Sequence, residues 1–306
     1  MNTLIIPCAG RSTRFPNVRP KWMLTCPDGQ LMVQKVIEGL DLPSPHRKII
    51  TIVREHCDKY SADLILNQAF GDNAEICILD HFTNSQSETV YLTLKKMAVH
   101  GSFVAKDSDN YLELKIEEFS NFLVGVDLRD HMEVTNVAGK SFLIFNEQNM
   151  IIDIVEKSVC SNTINVGVYG FSSTQNFLET YEKFSKTSIT DTDNEFYLSH
   201  IVSYMIAHGQ YFTYMKADAY QDWGLISDWQ SWRNKHKSYF IDIDGVVFKN
   251  KGQFGKITWD NDDEPLVNNI QILKKMLNDG GQLIFCTARP EGHRSKLEES
   301  LKLHGL

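Results

Sequence analysis

Near its start the chain reads Leu4-Ile5-Ile6-Pro7-Cys8-Ala9-Gly10-Arg11-Ser12-Thr13-Arg14-Phe15, and Pro20-Lys21 follows shortly after. The apolar run at 4–6 predicts a buried strand that opens into a turn of small residues. Small residues let backbone N–H groups approach phosphate oxygens closely, and arginine and lysine side chains balance the phosphate charge. This stretch therefore predicts a polyphosphate site at the end of a first strand.

Beyond this loop, apolar runs alternate with helical patterns. The expected strands are 4–7, 48–53, 75–79 and 102–106. The expected helices are 31–40, 56–70 and 88–97. Strands that alternate with helices in this way predict a parallel sheet that is covered by helices on both faces.

The pattern changes after residue 120. The expected strands there are 121–128, 141–146, 150–156, 162–171 and 211–216, with a hairpin turn at 146–149. The expected helices are 175–184 and 195–208. Because closely spaced strands favour antiparallel pairing, the predicted fold class is α/β, a Rossmann-like mixed sheet with an antiparallel extension. We expect this domain to occupy residues 1–233.

A second, smaller unit is expected at 238–306, after the polar and basic joint at 234–237. Its pattern is strand 239–243, helix 266–277, strand 282–286 and helix 291–303. The strand–helix alternation restarts here, so this segment predicts a partial second α/β unit.

Composition narrows the class of protein. A chain of 306 residues predicts about two domains, and its formal net charge of −8 argues against binding to nucleic acid, which needs a basic surface. No apolar stretch approaches the roughly 20 residues that cross a bilayer, and no signal peptide is expected. The six cysteines form no C-x-x-C pair, so we expect reduced core cysteines and a cytoplasmic protein.

Carboxylates follow the expected strand 102–106 in the segment Lys106-Asp107-Ser108-Asp109-Asn110. The carboxyl end of a central parallel strand is where open α/β sheets bind ligands, and hard oxygen ligands there suit Mg²⁺. An Asx-rich turn is the alternative interpretation.

The opening loop resembles the signature of the nucleoside-triphosphate transferase family, the pyrophosphorylases that make nucleotide-sugars and related activated headgroups. That signature runs G-x-G-T-R followed by P-K, and here it reads Gly10-Arg11-Ser12-Thr13-Arg14 with Pro20-Lys21. Ser12 stands where the family usually has glycine. Later segments that are similar to family motifs occur in the expected order over the first three-quarters of the chain.

The resemblance implies a role for each matching residue. It assigns Arg14 and Lys21 to catalysis, at the triphosphate. It implies Mg²⁺ between Asp109 and Asp222, with Asp107 as a further ligand or an outer support. The implied nucleotide-binding residues are Ala9, Gly10, Arg11, Ser12, Thr13, Gln86, Ser87, Glu88 and Thr89. The implied acceptor-binding residues are Glu156, Lys157, Asn165 and Gly167.

Two of these positions also carry local structural expectations. Ser87 is expected to cap the helix that follows it, since serine side chains accept hydrogen bonds from the first free N–H groups of helices. Asp222 is expected on a loop after the strand 211–216.

The reaction implied is attack by a phosphate oxygen of the acceptor on the α-phosphorus of a nucleoside triphosphate, with release of pyrophosphate. Asp109-Asn110-Tyr111-Leu112 resembles bacterial cytidylyltransferases, which favours CTP. The acceptor would be a sugar 1-phosphate or a small phosphorylated headgroup, and the product a precursor of surface glycan or headgroup. Many relatives self-associate, so a homo-oligomer stays open.

Asp242-Ile243-Asp244-Gly245 after an apolar strand resembles the first motif of the haloacid-dehalogenase superfamily. The resemblance implies Asp242 as nucleophile, Asp244 as general acid/base and Thr287 as a phosphate ligand. The lysine and acidic pair that this superfamily places further along do not occur by Leu306. We therefore expect a truncated unit with little or no phosphatase activity.

Two other functions stay open. One is a phosphatase that acts through Asp242, and the other is a catalytically inactive module that binds a nucleotide. The joint presence of Arg14, Lys21, Asp109 and Asp222 argues against the second, because a sensor does not need a complete set of cations and metal ligands.

Overall fold

The computed structural model describes residues 2–44, 46–187, 196–250, 252, 259, 263–278 and 280–306. The chain forms two compact units, Met1–Asp228 and Trp229–Leu306. No helix in the described part of the chain is both long enough and apolar enough to cross a membrane.

The first unit contains strands throughout its length. They are β1 (Asn2–Pro7), β2 (Leu40–Asp41), β3 (His46–Val53), β4 (Glu75–Leu79), β5 (Phe103–Lys106), β6 (Asn110–Lys115), β7 (Phe122–Asp127), β8 (Ser141–Phe145), β9 (Ile151–Glu156), β10 (Thr163–Phe171), β11 (Thr213–Lys216) and β12 (Ala219–Asp222). The helices are α1 (Met32–Glu38), α2 (Arg54–Tyr60), α3 (Ala62–Phe70), α4 (Gln86–Lys96), α5 (Thr174–Thr187), α6 (Leu198–Ala207) and α7 (Ile226–Lys235), the last of which contains the division between the units.

The main sheet has the strand order β11-β7-β10-β5-β1-β3-β4. β5, β1, β3 and β4 are parallel neighbours, whereas β10 is antiparallel to both β5 and β7. The hairpin β8–β9 joins the sheet through β10. This arrangement confirms the predicted mixed α/β sheet with an antiparallel extension.

The first strand is buried on both faces. Leu4 and Ile6 contribute to one hydrophobic cluster and Ile5 to another, and none of the three side chains is exposed. Because successive side chains of a strand point to opposite faces, a continuous apolar run is what a central parallel strand requires. The run 4–6 therefore fixes β1 at the middle of the domain.

The expected helix 56–70 is two helices, α2 and α3. Ser61 lies between them in the left-handed region, with φ 53°, and its N–H donates to the carbonyls of His56 and Cys57, which ends α2. Both segments share one apolar pattern, so periodicity alone did not reveal the break.

A small three-stranded sheet, β12-β6-β2, was not expected. It corrects the prediction that Asp222 lies on a loop after 211–216, since Asp222 is the last residue of β12. β12 pairs antiparallel with β6, and Asp222 lies opposite Asn110. In β6, Leu112 and Leu114 are buried and alternate with polar residues, which is the pattern of a strand with one buried face.

The second unit has its own small core. Its elements are the parallel strands β13 (Ser238–Asp242) and β14 (Gln282–Cys286) and the helices α8 (Val267–Asn278) and α9 (Arg294–Leu303). The buried residues of the core are Ile243, Val247, Phe248, Ile270, Leu273, Leu297 and Leu301. The strands and helices expected from the sequence in this segment are all present, although the last helix starts with a 3-10 turn at Glu291–His293.

Gly39, at the end of α1, lets the chain pack closely against β6. Its carbonyl accepts from the N–H of Leu114, and a Cβ atom at this position would overlap the carbonyl oxygen of Leu112. Only glycine permits this distance between the two backbones.

We expect Gly39→Ala to lower the free energy of unfolding by about 2–3 kcal/mol, because a backbone oxygen cannot move aside without disturbing β6. Urea unfolding of the full chain measures the change. Gly10→Ala is the matched control, since a Cβ there would meet no atom within 4 Å. Equal stability of the two variants would contradict the close approach.

Candidate active site

The opening loop folds around Ser12. This residue lies in the left-handed region, with φ 51°, its carbonyl accepts from the N–H of Phe15 at 2.8 Å, and its Oγ accepts from the N–H of Lys21 at 3.4 Å. Glycine enters this region without steric cost, which is a physical reason for glycine at the corresponding family position. Serine takes up the same conformation here and uses its hydroxyl to hold the two ends of the loop together.

The second predicted nucleotide segment lies against this loop. The N–H of Thr83 donates to the carbonyl of Ala9 at 3.3 Å, and the guanidinium of Arg11 lies 4.8 Å from the ring centre of Phe82. Gly10 and Thr13 belong to the same exposed loop, and a Cβ at Gly10 would have no neighbours within 4 Å. The residues just before the second segment therefore contact the opening loop.

Ser85, and not Ser87, caps α4. The Oγ of Ser85 accepts from the N–H of Glu88 at 3.1 Å, which corrects the prediction for Ser87. Ser87 lies inside the helix, is fully buried, and donates to the carbonyl of Phe196. The two serines are two residues apart, and the sequence favours both as caps equally.

The remaining residues of this segment have partners within the protein. The Oγ1 of Thr89 lies 2.6 Å from the Oγ1 of Thr83, and a carboxylate oxygen of Glu88 accepts from the N–H of Asn84. The side-chain amide of Gln86 donates to Asp107. Gln86 thus connects the second segment to the carboxylates at the end of β5.

Asp109 lies among cations. Its Oδ2 is 2.5 Å from the Nζ of Lys21 and 3.7 Å from Nη2 of Arg14. Burial alone would raise the pKa of Asp109, but the positive charges of Lys21 and Arg14 together hold it below its usual range. The carboxylate is therefore ionised at neutral pH.

Strand pairing brings Asp222 close to Asp109. Asp222 lies opposite Asn110, and the N–H of Trp223 donates to the carbonyl of Asp109 at 2.9 Å. Gly224 follows, and a Cβ atom there would lie 3.2 Å from Asp222 Oδ1, 3.7 Å from Asp109 Oδ2 and 3.6 Å from Arg14 Nη1. The two carboxylates and the guanidinium therefore converge on the space that glycine leaves free.

This arrangement fits Mg²⁺. Within the described residues, no group of three or more His, Cys, Asp or Glu side chains is placed to hold a metal ion, so a cage made by the protein alone is not present there. Proteins commonly hold Mg²⁺ with one or two carboxylates and leave the other positions to water and substrate phosphates. Asp109 and Asp222 are the two carboxylates that would form such a pair.

The carboxylate of Asp107 has contacts of its own. Its carboxylate accepts from Gln86 and packs against Gly167, which has φ 74° and no room for a side chain. Burial and the nearby charge of Asp109 raise the pKa of Asp107. These contacts favour a role as outer support over a role as metal ligand.

Lys106 is a residue of the site that the sequence analysis did not single out. Its side chain is fully buried, and its Nζ donates to the carbonyls of Asp107 and Asn110, each at 3.0 Å, and to the side chain of Asn110. Burial lowers its pKa to about 8. A lysine at the end of an apolar strand is a signal that could have identified it.

Lys140 was also missed. Its Nζ lies 2.5 Å from Asp222 Oδ2 and 3.2 Å from the hydroxyl of Tyr220. Burial would lower the pKa of Lys140, but Tyr220 and Asp222 raise it above its usual value. Its local sequence, Ala138-Gly139-Lys140-Ser141, contains no signal for such a position.

The predicted acceptor residues Glu156 and Lys157 lie at the end of β9. The carboxylate of Glu156 accepts from the hydroxyls of Ser141 and Ser199. Lys157 has φ 52°, and its ammonium contacts the hydroxyl of Tyr197 and lies 4.1 Å from that ring centre. Its N–H donates to the carbonyl of Lys140 at 2.9 Å, which joins β9 to the start of β8.

Asn165 and Gly167 are buried within β10. The Oδ1 of Asn165 accepts from the N–H of Gly167 at 2.8 Å, and the pairing of β10 with β7 shifts register just after Asn165. This irregularity allows β10 to pass close to Asp107, whose N–H donates to the carbonyl of Gly167. The structure thus connects these two residues with the end of β5.

In the second unit, parallel pairing brings the ends of β13 and β14 together. Asp242 is exposed at the end of β13, whereas Asp244 accepts from Thr287 Oγ1 at 3.2 Å and from Arg289 at 2.6 Å. Arg289 also donates to Asp263 at 2.8 Å. Asp244 and Thr287 are therefore adjacent, and the phosphatase interpretation stays a prediction.

Comparison with known proteins identifies a fold that spans about three-quarters of the chain. The nucleoside-diphosphate-sugar pyrophosphorylase from Vibrio cholerae RC9 is similar, with a TM-score of 0.62 and 18% identity over 76% of this chain and 99% of that chain. The inositol-1-phosphate CTP transferase from T. maritima has a TM-score of 0.56 and 14% identity over 74% and 90%. A UDP-glucose pyrophosphorylase, solved with UDP-glucose, has a TM-score of 0.56 and 14% identity over 76% and 97%.

No family model matches the sequence, and no curated protein matches it. At these identities the solved structures define the fold alone, a mixed α/β fold that this chain shares with proteins named as pyrophosphorylases and as a CTP transferase. Structure comparison thus supports the fold that the opening motif implies.

The positive φ of Ser12 makes a testable prediction. We expect Ser12→Gly to raise the free energy of unfolding by about 1 kcal/mol, because a left-handed conformation costs about that much for a residue with a Cβ. Ser12→Ala keeps the Cβ and removes the hydroxyl acceptor, so it should not raise stability. Urea unfolding distinguishes the two, and a gain in both variants would contradict strain at this residue.

Proposed function

We propose that the first unit is a nucleotidyltransferase that transfers a nucleoside monophosphate from a nucleoside triphosphate to a phosphorylated small molecule and releases pyrophosphate. The observation that carries the proposal is the convergence of Asp109, Asp222 and Arg14 on the space beside Gly224, with Lys21 bonded to Asp109. These groups lie at strand ends, where open α/β sheets bind ligands.

The chemistry needs little covalent help from the protein. Two anions must be brought together, so the main task is to position them and to stabilise charge on the phosphate oxygens. Asp109 and Asp222 would hold Mg²⁺, which when bound would offset that charge. Arg14 and Lys21 would face the triphosphate, and the loop around Ser12 would direct backbone N–H groups at its oxygens.

The acceptor would bind on the side of β9 and β10. In this role Lys157 would pair with the acceptor phosphate, and Glu156, already oriented by Ser141 and Ser199, would accept from its hydroxyl groups. CTP is the proposed nucleotide and a sugar 1-phosphate or small phosphorylated headgroup the acceptor, for synthesis of a surface glycan or headgroup precursor. The T. maritima neighbour, named as a CTP transferase of inositol 1-phosphate, supports this choice.

The test is a screen for pyrophosphate release that crosses CTP, UTP, GTP, dTTP and ATP with a panel of phosphorylated acceptors in Mg²⁺. In the combination that reacts, Asp109→Asn and Asp222→Asn should each lower kcat/KM by roughly 10²–10³-fold, since each removes a carboxylate that would hold the Mg²⁺ whose charge stabilises the phosphate oxygens.

Asp130→Asn is the matched control, because Asp130 is an exposed carboxylate paired with Lys216. The activity of this variant should equal that of the unmodified protein. Absence of pyrophosphate release in every combination would overturn the proposal. Release of inorganic phosphate that persists in Asp109→Asn and vanishes in Asp242→Asn would instead support the phosphatase function.

A further inference from the structure

Lys140 lies where the two proposed subsites meet. Its side chain is 15% exposed and its ammonium pairs with Asp222, a proposed metal ligand. Its backbone carbonyl accepts from the N–H of Lys157, the proposed ligand of the acceptor phosphate. One residue thus contacts both subsites, through its side chain on one side and its main chain on the other.

Both oxygens of Asp222 are already engaged. Oδ2 pairs with Lys140 at 2.5 Å, and Oδ1 accepts from the N–H of Gly224 at 3.1 Å. A metal ion that binds Oδ2 would compete directly with the ammonium of Lys140. The hydroxyl of Tyr220 would remain within hydrogen-bonding distance of the ammonium. A neutral hydroxyl does not balance the positive charge of the ammonium.

A largely buried ammonium that loses its carboxylate is costly unless another anion replaces it. In the proposed reaction the anions that enter this space are phosphates. The exchange of one anionic partner for another would make the binding of metal and of phosphate mutually favourable.

We propose that Lys140 couples metal binding to phosphate binding: its ammonium neutralises Asp222 in the free protein and binds a phosphate oxygen once Asp222 holds the metal. The inference rests on the proposed function, because it takes Asp222 as the metal ligand. Lys140 has no counterpart among the motifs that relate the chain to nucleotidyltransferases. It adds a cation to the site, beside Arg14, Lys21 and Lys157.

Coupling of this kind is reciprocal and measurable without turnover. Isothermal titration calorimetry would measure the Kd of Mg²⁺ for the full chain, with inorganic phosphate absent or present at equal concentration in cell and syringe. For the unmodified protein, phosphate should tighten Mg²⁺ binding roughly 5-fold or more. An unchanged Kd would overturn the proposal, whatever any variant does.

Lys140→Met separates coupling from a merely structural role. Without phosphate, this variant should bind Mg²⁺ at least as tightly as the unmodified protein, because the competing ammonium is gone. Phosphate should tighten Mg²⁺ binding less in this variant than in the unmodified protein. Weaker Mg²⁺ binding under both conditions, with the phosphate effect intact, would contradict the proposal.

Lys216→Met is the control, since Lys216 pairs with Asp130 at the surface, and both Kd values should match those of the unmodified protein. Lys140→Arg retains a charge and should retain part of the phosphate effect. Because no step of these titrations needs a nucleoside triphosphate, their result is independent of the pyrophosphate screen. Coupling without pyrophosphate release would leave the role of Lys140 standing while the proposed function failed.

Discussion

The site depends on one backbone pairing, the antiparallel contact of β6 with β12. Residues 109 and 222 are far apart in sequence, and they meet because Asp222 lies opposite Asn110 and Trp223 donates to Asp109. Since side chains alternate along a strand, a slip of one residue in this pairing would turn Asp222 to the other face. Main-chain hydrogen bonds therefore determine where both carboxylates lie. Because the two backbones are adjacent, short aspartate side chains are sufficient to bring the carboxylates together.

Buried charge in this region is balanced pair by pair. Asp109 is matched by Lys21 and Asp222 by Lys140, while Lys106 is surrounded by carbonyl groups of its own loop. Charges of this kind are tolerated only where each has a partner, so the arrangement fixes the loop after β5 in one conformation. Preorganisation of this sort is what catalysis by positioning and electrostatics requires.

Much of the fold and of the candidate site could be predicted from the sequence. The elements and residues that the sequence did not predict were missed for physical reasons. The strands β1, β4 and β14 were located closely because short apolar runs between polar segments identify them. β6 and β12 were missed because their charged and aromatic residues obscure the alternation, although Leu112 and Leu114 follow it. The motif residues were identifiable by resemblance. Lys140 was not, because its position depends on tertiary contacts with Asp222 and Tyr220, which local sequence does not encode.

The burial of β1 on both faces also affects how the first unit opens. Leu4 and Ile6 belong to one hydrophobic cluster and Ile5 belongs to the other. Detachment of this strand would therefore disrupt both clusters at once. The amides of residues 4–6 should therefore exchange with solvent deuterium only through cooperative unfolding of the whole unit. The residues at 10–14, which are exposed or half-buried, are consequently attached to a strand whose amides should exchange slowly.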